Sequence, residues 1–132
     1  MTAGDRNDTT GRRLLVVDDD PNLREIYVDV LSAEGFEVVT ARDGLEAFEL
    51  FLTQGPFHAL IVDQNMPRLT GRQLLKRLRG LGEDAPALLI SGRRLEVAPK
   101  EQEALGLGAW LDKPFSRGAL LDAVRRLLFA RT

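Results

Sequence analysis

The feature that most constrains the fold of this chain is a regular alternation of short apolar runs with longer segments of helical spacing. Five runs rich in Leu, Ile, Val and Ala occupy residues 14–17, 36–40, 59–62, 87–90 and 109–111. Nearly continuous apolar runs of this length predict strands that are covered on both faces. Between them, apolar residues recur every three or four positions, which predicts helices. Strands that alternate with helices predict an α/β fold: a doubly wound (βα)5 arrangement around a five-stranded parallel sheet.

Capping residues predict where the helices begin. Asp20 suits the N-cap of the first helix, and Pro21 suits its first helical position. Asp43, Thr70 and Ser116 precede the second, third and fifth helical patterns in the same way. Each of these helices therefore has a defined first turn close to the end of the preceding strand.

Two helices differ from the simplest pattern. Pro99 and Gly106 bracket a segment of about two turns, so we expect a short fourth helix near residues 99–105 behind a long loop. The second helix carries four large apolar residues that the spacing assigns to its inward side: Leu45, Phe48, Phe51 and Leu52.

Length and composition exclude several classes of protein. A chain of 132 residues fits one domain, which we expect over residues 13–132 after a polar, flexible tail at 1–12. The absence of Cys and the single His exclude disulfides, cysteine-based metal sites, thiol nucleophiles and His-rich metal sites. A net charge of -2 gives no general attraction to nucleic acid. The apolar runs are too short to span a membrane and the N-terminus has no signal peptide, so we expect a cytoplasmic protein.

The polar residues that directly follow the predicted strands are the candidate functional residues. Asp18 and Asp19 follow the first strand, and Asp63 follows the third. Ser91 follows the fourth strand and Lys113 the fifth. Because binding sites in open parallel sheets lie at the carboxyl ends of the strands, we expect these side chains to converge on one edge.

This set of groups is suited to phosphoryl chemistry. Neighbouring carboxylates repel each other, and a hard divalent cation such as Mg²⁺, which prefers oxygen ligands, relieves that repulsion. Asp19 and Asp63 would supply carboxylate oxygens directly, and Asp18 directly or through water. A carboxylate beside Mg²⁺ can attack a phosphoryl group. A hydroxyl such as that of Ser91 and an ammonium such as that of Lys113 would then offset charge on the phosphoryl oxygens.

Four short motifs, in this order, resemble those of receiver domains in two-component response regulators, the CheY-like family. They are Val-Val-Asp-Asp-Asp-Pro, Val-Asp-Gln-Asn-Met-Pro, Leu-Ile-Ser-Gly and Asp-Lys-Pro-Phe. Each motif is weak alone, but four at successive strand ends are a specific combination. The resemblance extends over about residues 13–130, and it implies a flavodoxin-like sheet with strand order 2-1-3-4-5.

The resemblance also implies a role for the acidic residues. Asp63 would be the phosphoacceptor, supplied by a phosphohistidine on a histidine kinase or a histidine phosphotransfer protein. Asp18 and Asp19 would hold Mg²⁺ together with Asp63, and the main-chain oxygen of Asn65 would be a further ligand. The chain would then be a signalling module in a phosphorelay. It would assist its own phosphorylation and dephosphorylation without being an enzyme.

The remaining motif positions match the switch residues of that family. Ser91 resembles the switch hydroxyl, and Lys113 resembles the lysine that pairs with the phosphoryl group. Trp110, three residues before Lys113, stands where the family carries an aromatic that turns inward when the hydroxyl moves. An equally good interpretation is that Trp110 is a strand aromatic packed against the last helix. For the Lys113–Pro114 bond, a cis peptide would suit the motif, although trans is the commoner isomer.

Several alternatives stay open on the sequence. A haloacid-dehalogenase-like phosphatase would use Asp18 as nucleophile and Asp20 as acid/base, although Asp63 would then have no role. A pseudo-receiver would bind partners without phosphorylation. As a receiver, the chain could be a stand-alone response regulator or a segment of a larger protein such as a hybrid histidine kinase. We expect a downstream protein partner, a possible phosphorylation-linked homodimer, and no direct contact with nucleic acid or membrane.

Overall fold

The computed structural model describes residues 9–129, and within them five strands alternate with five helices. The strands β1 to β5 are Arg13–Val17, Glu37–Ala41, Ala59–Asp63, Ala87–Ser91 and Leu107–Asp112. The helices α1 to α5 are Pro21–Ser32, Gly44–Gln54, Gly71–Gly80, Pro99–Leu105 and Arg117–Phe129. The predicted alternation is therefore confirmed, and the largest boundary difference is at β5, which begins two residues before the predicted run.

The five strands form one parallel sheet in the order β2-β1-β3-β4-β5. This order confirms the fold class. The strand order reverses between β1 and β3, which pair directly along most of their lengths. A crevice at the carboxyl ends of these two strands is the place where sheets of this kind bind their ligands.

Side chains alternate between the two faces of the sheet, and each face has its own core. Leu15 and Val17 of β1 belong to the cluster that contains α2, α3 and α4. Leu14 and Val16 belong to the opposite cluster, together with α1 and α5. The central strands β3 and β4 are buried along their whole length, whereas the edge strands are partly exposed. This difference explains why the central runs are the most continuously apolar.

The predicted helix starts and stops are present in the structure. The Asp20 carboxylate accepts the backbone N–H of Asn22 at 2.9 Å, and the Ser116 hydroxyl accepts that of Ala119 at 3.0 Å. The short fourth helix has no side-chain cap and ends at Gly106, whose φ of 64° lies in the left-handed region that glycine adopts easily.

The inward face of α2 differs from the one expected from spacing. Leu45 and Leu52 are 69% and 73% exposed, so their assignment to the core is wrong. The helix instead packs on the sheet through the small residue Ala47, which is fully buried, and through the partly buried Phe48 and Phe51. The small side chain of Ala47 lets the helix approach the sheet closely, and Leu45 and Leu52 are then left exposed to solvent.

Four residues of the predicted tail lie within the described part of the chain, and they make specific contacts. The Thr9 side chain is buried and donates a hydrogen bond to the main-chain oxygen of Glu34. The Gly11 N–H donates to the Gly35 oxygen at 3.3 Å, and the Arg12 guanidinium lies 5.3 Å from the ring centre of Phe129. Residues 9–12 therefore contact the folded domain, whereas the flexibility of the tail stays a prediction and residues 1–8 lie outside the described residues.

Among residues 9–129, no helix combines the length and the apolar character that a membrane crossing requires.

Gly71 holds the start of α3 against the end of β3, and an alanine there should destabilise the fold. An added Cβ would lie 2.6 Å from the main-chain oxygen of Asp63 and 2.8 Å from a methyl of Leu89. We expect Gly71→Ala to lower the free energy of unfolding in urea by about 1–3 kcal/mol. The matched control is Gly80→Ala at the other end of the helix, where an added Cβ meets nothing within 4 Å. A Gly71→Ala variant as stable as that control would contradict this packing.

Candidate functional site

Three carboxylates meet at the carboxyl ends of β1 and β3. Asp18 follows β1 and is fully buried, and Asp63 ends β3 and is 2% exposed. Asp19, the third, is exposed. One carboxylate oxygen of each residue lies within 4.8 Å of the others. The convergence arises because β1 and β3 are neighbours and end at the same level.

Lys113 supplies the opposite charge from the end of β5. Its Nζ lies 3.2 Å from Oδ1 of Asp63 and 3.8 Å from Oδ2 of Asp18. Its main-chain N–H donates to the main-chain oxygen of Ser91 at 2.8 Å, and this bond continues the pairing of β4 and β5 up to the site. The Lys113–Pro114 peptide is cis, so the expectation of the commoner trans isomer is wrong. The lysine is thus held where it faces both buried carboxylates.

The buried Asp18 carboxylate also has local hydrogen bonds. Its Oδ1 accepts the backbone N–H of Asp20 at 2.9 Å, and its Oδ2 accepts the hydroxyl of Tyr27 at 3.3 Å. Burial and the charge of Asp18 raise the pKa of Tyr27, so this hydroxyl remains protonated and donates. Sequence reasoning missed this contact. A tyrosine on the inward face of the helix that follows the acidic motif was the available signal.

The pKa of Asp18 is raised above its ordinary value of 3.8, chiefly by burial and further by the charge of Asp63. The N–H of Asp20 and the ammonium of Lys113 oppose this shift without cancelling it. Two buried carboxylates beside one ammonium leave negative charge in excess in the absence of a cation. Protonation of Asp18 would relieve part of that excess.

Asp18→Asn should therefore stabilise the metal-free protein, and more so at higher pH. Because the folded-state pKa of Asp18 lies above the unfolded one, its contribution to the free energy of unfolding is fully present below about pH 3.8. That contribution is lost as the pH rises through the folded-state pKa. Urea unfolding of both proteins in chelator, at several pH values, measures the difference. A stability advantage of the variant that shrinks as the pH rises would contradict the assignment.

The same carboxylates fit a hard divalent cation. All three candidate ligands are oxygen donors, which is the preference of Mg²⁺, and one of them is exposed enough to leave room for retained water. Burial, and to a lesser extent the charge of Asp63, raise the pKa of Asp18, and a cation beside this carboxylate would favour its ionised form. The donor set therefore fits the predicted metal, whereas the part played by the Asn65 main-chain oxygen stays a prediction.

Ser91 and Asn65 form a second group beside the carboxylates. Ser91 ends β4 and is 1% exposed, and its hydroxyl lies 3.0 Å from Oδ1 of Asn65. The main-chain N–H of Asn65 donates to Oδ1 of Asp63 at 3.2 Å. Asn65 thus contacts the candidate phosphoacceptor through its backbone and the candidate switch hydroxyl through its side chain. Sequence reasoning identified the main-chain oxygen of Asn65 but not this side-chain contact.

Trp110 lies apart from the carboxylates, on the edge strand β5. It is 43% exposed and pairs in register with Leu89 of β4. Its neighbours around a shallow cavity include Ala119 and Ala123 of α5. The ring therefore borders the last helix without being buried by it, and its role as a switch stays a prediction.

The geometry does not favour the phosphatase alternative. Asp20, its acid/base candidate, accepts the backbone N–H groups of Asn22 and Leu23 as the cap of α1. Asp63, which that alternative leaves without a role, is the carboxylate closest to Lys113.

Comparisons with known proteins agree with the geometry of the site. A family model described as the response regulator receiver domain matches residues 14–125. The response regulator MprA of Mycobacterium tuberculosis is 40% identical over 118 residues, which cover 88% of this chain and 50% of that protein. The MprA protein of Mycobacterium ulcerans matches with the same identity and coverage. The chain thus spans about half the length of these relatives.

Solved structures extend the similarity to the fold. The chemotaxis response regulator CheY4 of Vibrio cholerae has a TM-score of 0.79 and 33% identity, over 90% of this chain and all of that one. The response regulator TrrA of Thermotoga maritima, solved in complex with Mg²⁺–BeF, has a TM-score of 0.77 and 32% identity, over 89% of this chain and 99% of that one. The chain belongs to the response regulator receiver domains, the signalling modules of two-component systems.

Proposed function

We propose that Asp63 accepts a phosphoryl group from a phosphohistidine, and that this reaction switches a surface that binds a protein partner. The observation that carries the proposal is the position of Lys113, whose Nζ lies 3.2 Å from Asp63 at an edge shared with two other carboxylates. A purely structural acidic turn has no need of a converging ammonium from a different strand. Membership in the receiver family supports the same assignment.

In the proposed reaction, an oxygen of Asp63 attacks the phosphorus atom of the donor. The P–O bond to Asp63 forms as the P–N bond to the donor imidazole breaks, and the bonding electron pair stays on the imidazole nitrogen. Oδ1 of Asp63 forms the ion pair with Lys113 and accepts the Asn65 N–H, and Oδ2 is free of these two contacts. We assign the attack to Oδ2. Lys113 then pairs with one phosphoryl oxygen, and Ser91 donates to another.

Mg²⁺ would be held by Asp18, Asp19, Asp63 and the main-chain oxygen of Asn65. When bound, it offsets the negative charge that the carboxylates and the phosphoryl group bring together. The chain's own groups orient the reaction: Tyr27 and the Asp20 N–H fix the Asp18 carboxylate. Tyr27 belongs to α1 and Asp20 is the N-cap of that helix, so the start of α1 orients the Asp18 carboxylate before the phosphoryl group arrives.

A surface beside the site is suited to docking of the donor protein. A cavity of about 510 Å³ is lined by Leu23 and Ile26 of α1, by Pro114 and Phe115 after β5, and by Lys113. Ile26 is 46% exposed. An apolar partner surface placed there would lie next to the ammonium that faces Asp63. We assign this surface to a histidine kinase or a histidine phosphotransfer protein.

The proposed output begins at the loops that follow β3 and β4. A phosphoryl group on Asp63 adds charge and acceptor oxygens, which recruit Ser91 and Lys113 and move the loop after β4. That movement would bias the surface seen by a downstream protein, or by a second copy of the chain in a phosphorylation-linked homodimer. The same switch serves a stand-alone response regulator or a receiver segment of a larger protein such as a hybrid histidine kinase.

The single Trp provides a direct test of the proposal. With Mg²⁺ and beryllofluoride, a mimic of the phosphoryl group, we expect the fluorescence emission of Trp110 to change as the loops move. With Mg²⁺ and a small phosphodonor, we expect intact mass to increase by one phosphoryl group. A chain that takes up no phosphoryl group under these conditions would overturn the proposed function.

A further inference from the structure

The side chain of Asn65 bridges the two loops of the site, and its hydrogen bonds have a defined direction. Oδ1 of Asn65 lies 3.2 Å from the main-chain nitrogen of Gly92 and 3.0 Å from the hydroxyl oxygen of Ser91. A backbone N–H can only donate, so the Gly92 contact requires an acceptor, and that acceptor is the amide oxygen of Asn65. The Ser91 hydroxyl must then donate its proton to the same oxygen.

The other side of the Ser91 hydroxyl is also occupied. The main-chain N–H of Arg93 donates to the hydroxyl oxygen of Ser91 at 3.1 Å. A serine hydroxyl has one proton to donate and can accept on its lone pairs. With the Arg93 N–H accepted, the single proton points at Asn65, and the orientation of the hydroxyl is settled by its two neighbours. Ser91 is 1% exposed, so water competes poorly for this proton.

This arrangement conflicts with the step that the proposed function requires of Ser91. A hydroxyl that donates to Asn65 cannot donate the same proton to a phosphoryl oxygen on Asp63. The bond to Asn65 must therefore break before Ser91 can engage the phosphoryl group. The Gly92 N–H, which Asn65 also accepts, ties the loop after β4 into the same unphosphorylated arrangement.

From these contacts we propose that Asn65 is a positioning residue that holds Ser91 and the loop after β4 in the unphosphorylated state. Its side chain opposes the switch, and its main-chain N–H meanwhile orients Oδ1 of Asp63. Asn65 thus sets how readily the chain adopts the phosphorylated arrangement. This inference deepens the proposed function and rests on it.

A double-mutant cycle with beryllofluoride and Mg²⁺ tests the proposal in the full chain. Calorimetry would give the affinity for the mimic in wild type, Asn65→Ala, Ser91→Ala and the double variant. We expect Asn65→Ala to raise the affinity about twofold to tenfold when Ser91 is present, which is the net effect of one hydrogen bond. In the Ser91→Ala background the gain should be clearly smaller, because only the bond from the Gly92 N–H is then left for Asn65→Ala to remove. An equal effect of Asn65→Ala in both backgrounds would overturn the proposal, because a merely structural role does not depend on the hydroxyl.

Amide hydrogen exchange at Gly92 gives a second readout that needs no phosphorylation. In the free chain, Asn65→Ala should speed the exchange of the Gly92 amide, and Asn65→Asp, which keeps an acceptor oxygen of the same shape, should preserve its protection. The matched control is Gln64→Ala, since the Gln64 side chain accepts the Arg72 N–H in the first turn of α3 at 2.9 Å. Unchanged exchange in Asn65→Ala would overturn the positioning role. A wild-type chain that fails to bind the mimic while Asn65→Ala still speeds the exchange would overturn the proposed function instead.

Discussion

Replacing Asp63 by asparagine is expected to reduce phosphoryl incorporation to background. The amide keeps the shape of the side chain, but it lacks the anionic oxygen that we assign to the attack on phosphorus. Asp63 is 2% exposed, and its Oδ1 lies nearer to the Lys113 ammonium, at 3.2 Å, than the Oδ2 of Asp18 does, at 3.8 Å. Intact mass after incubation with Mg²⁺ and a small phosphodonor measures the incorporation. The emission change of Trp110 with beryllofluoride should be lost in the same variant.

The matched control for this experiment is Asp112→Asn. Asp112 is an exposed carboxylate at the end of β5 and lies outside the cluster of Asp18, Asp19 and Asp63. Phosphoryl uptake by this control should equal that of the wild type. Uptake that survives in Asp63→Asn and is lost in Asp18→Asn would instead support a phosphatase-like nucleophile at Asp18.

Replacing Lys113 by methionine is expected to change both stability and phosphorylation. The variant removes the ammonium that faces Asp63 at 3.2 Å and Asp18 at 3.8 Å, which leaves two buried carboxylates facing each other. Loss of one partner from a buried ionic group destabilises a fold, and we expect the free energy of unfolding in chelator to fall by about 1–3 kcal/mol. The rate of phosphoryl uptake should fall on the order of a hundredfold, because one stabilising charge is lost from the transition state.

Lys100→Met serves as the control, since Lys100 is an exposed residue in the first turn of α4. Urea unfolding in chelator and the time course of phosphoryl uptake, followed by mass, measure the two effects. Mg²⁺ should restore much of the stability of Lys113→Met, because a cation near the carboxylates compensates for the missing ammonium. A variant that is as stable in chelator and phosphorylated as fast as this control would show that Lys113 is a surface residue with no part in the site.

Residue types within a few positions of each other were sufficient to predict most helix boundaries of the fold. The caps at Asp20 and Ser116 and the left-handed stop at Gly106 lie where the residue types predicted them. These features depend on hydrogen bonds and backbone angles within a few residues, so the sequence around each one contains the needed information. Strand order, in contrast, was inferred from the resemblance to a family and is confirmed by the pairing of β1 with both β2 and β3.

The assignment of helix faces was less secure where apolar residues cover more than one side of a helix. In α2, Leu45 and Leu52 fitted a helical stripe as well as Ala47 did, yet the two leucines are exposed and the alanine is buried. Which side faces the sheet depends on how closely the helix can approach it, and that distance is a property of two elements together. The spacing of apolar residues along one helix does not reveal that distance.

By itself, the sequence determined the alternation of strands and helices and the five polar residues at the strand ends, because hydrophobic periodicity and caps act over short distances. The tertiary structure decided which of those residues meet and how. It brought Lys113 to Asp63, buried Asp18 beside Tyr27, and turned the Asn65 side chain toward Ser91. Such contacts join residues far apart in the chain, and their distances follow from the packing of separate elements around the sheet.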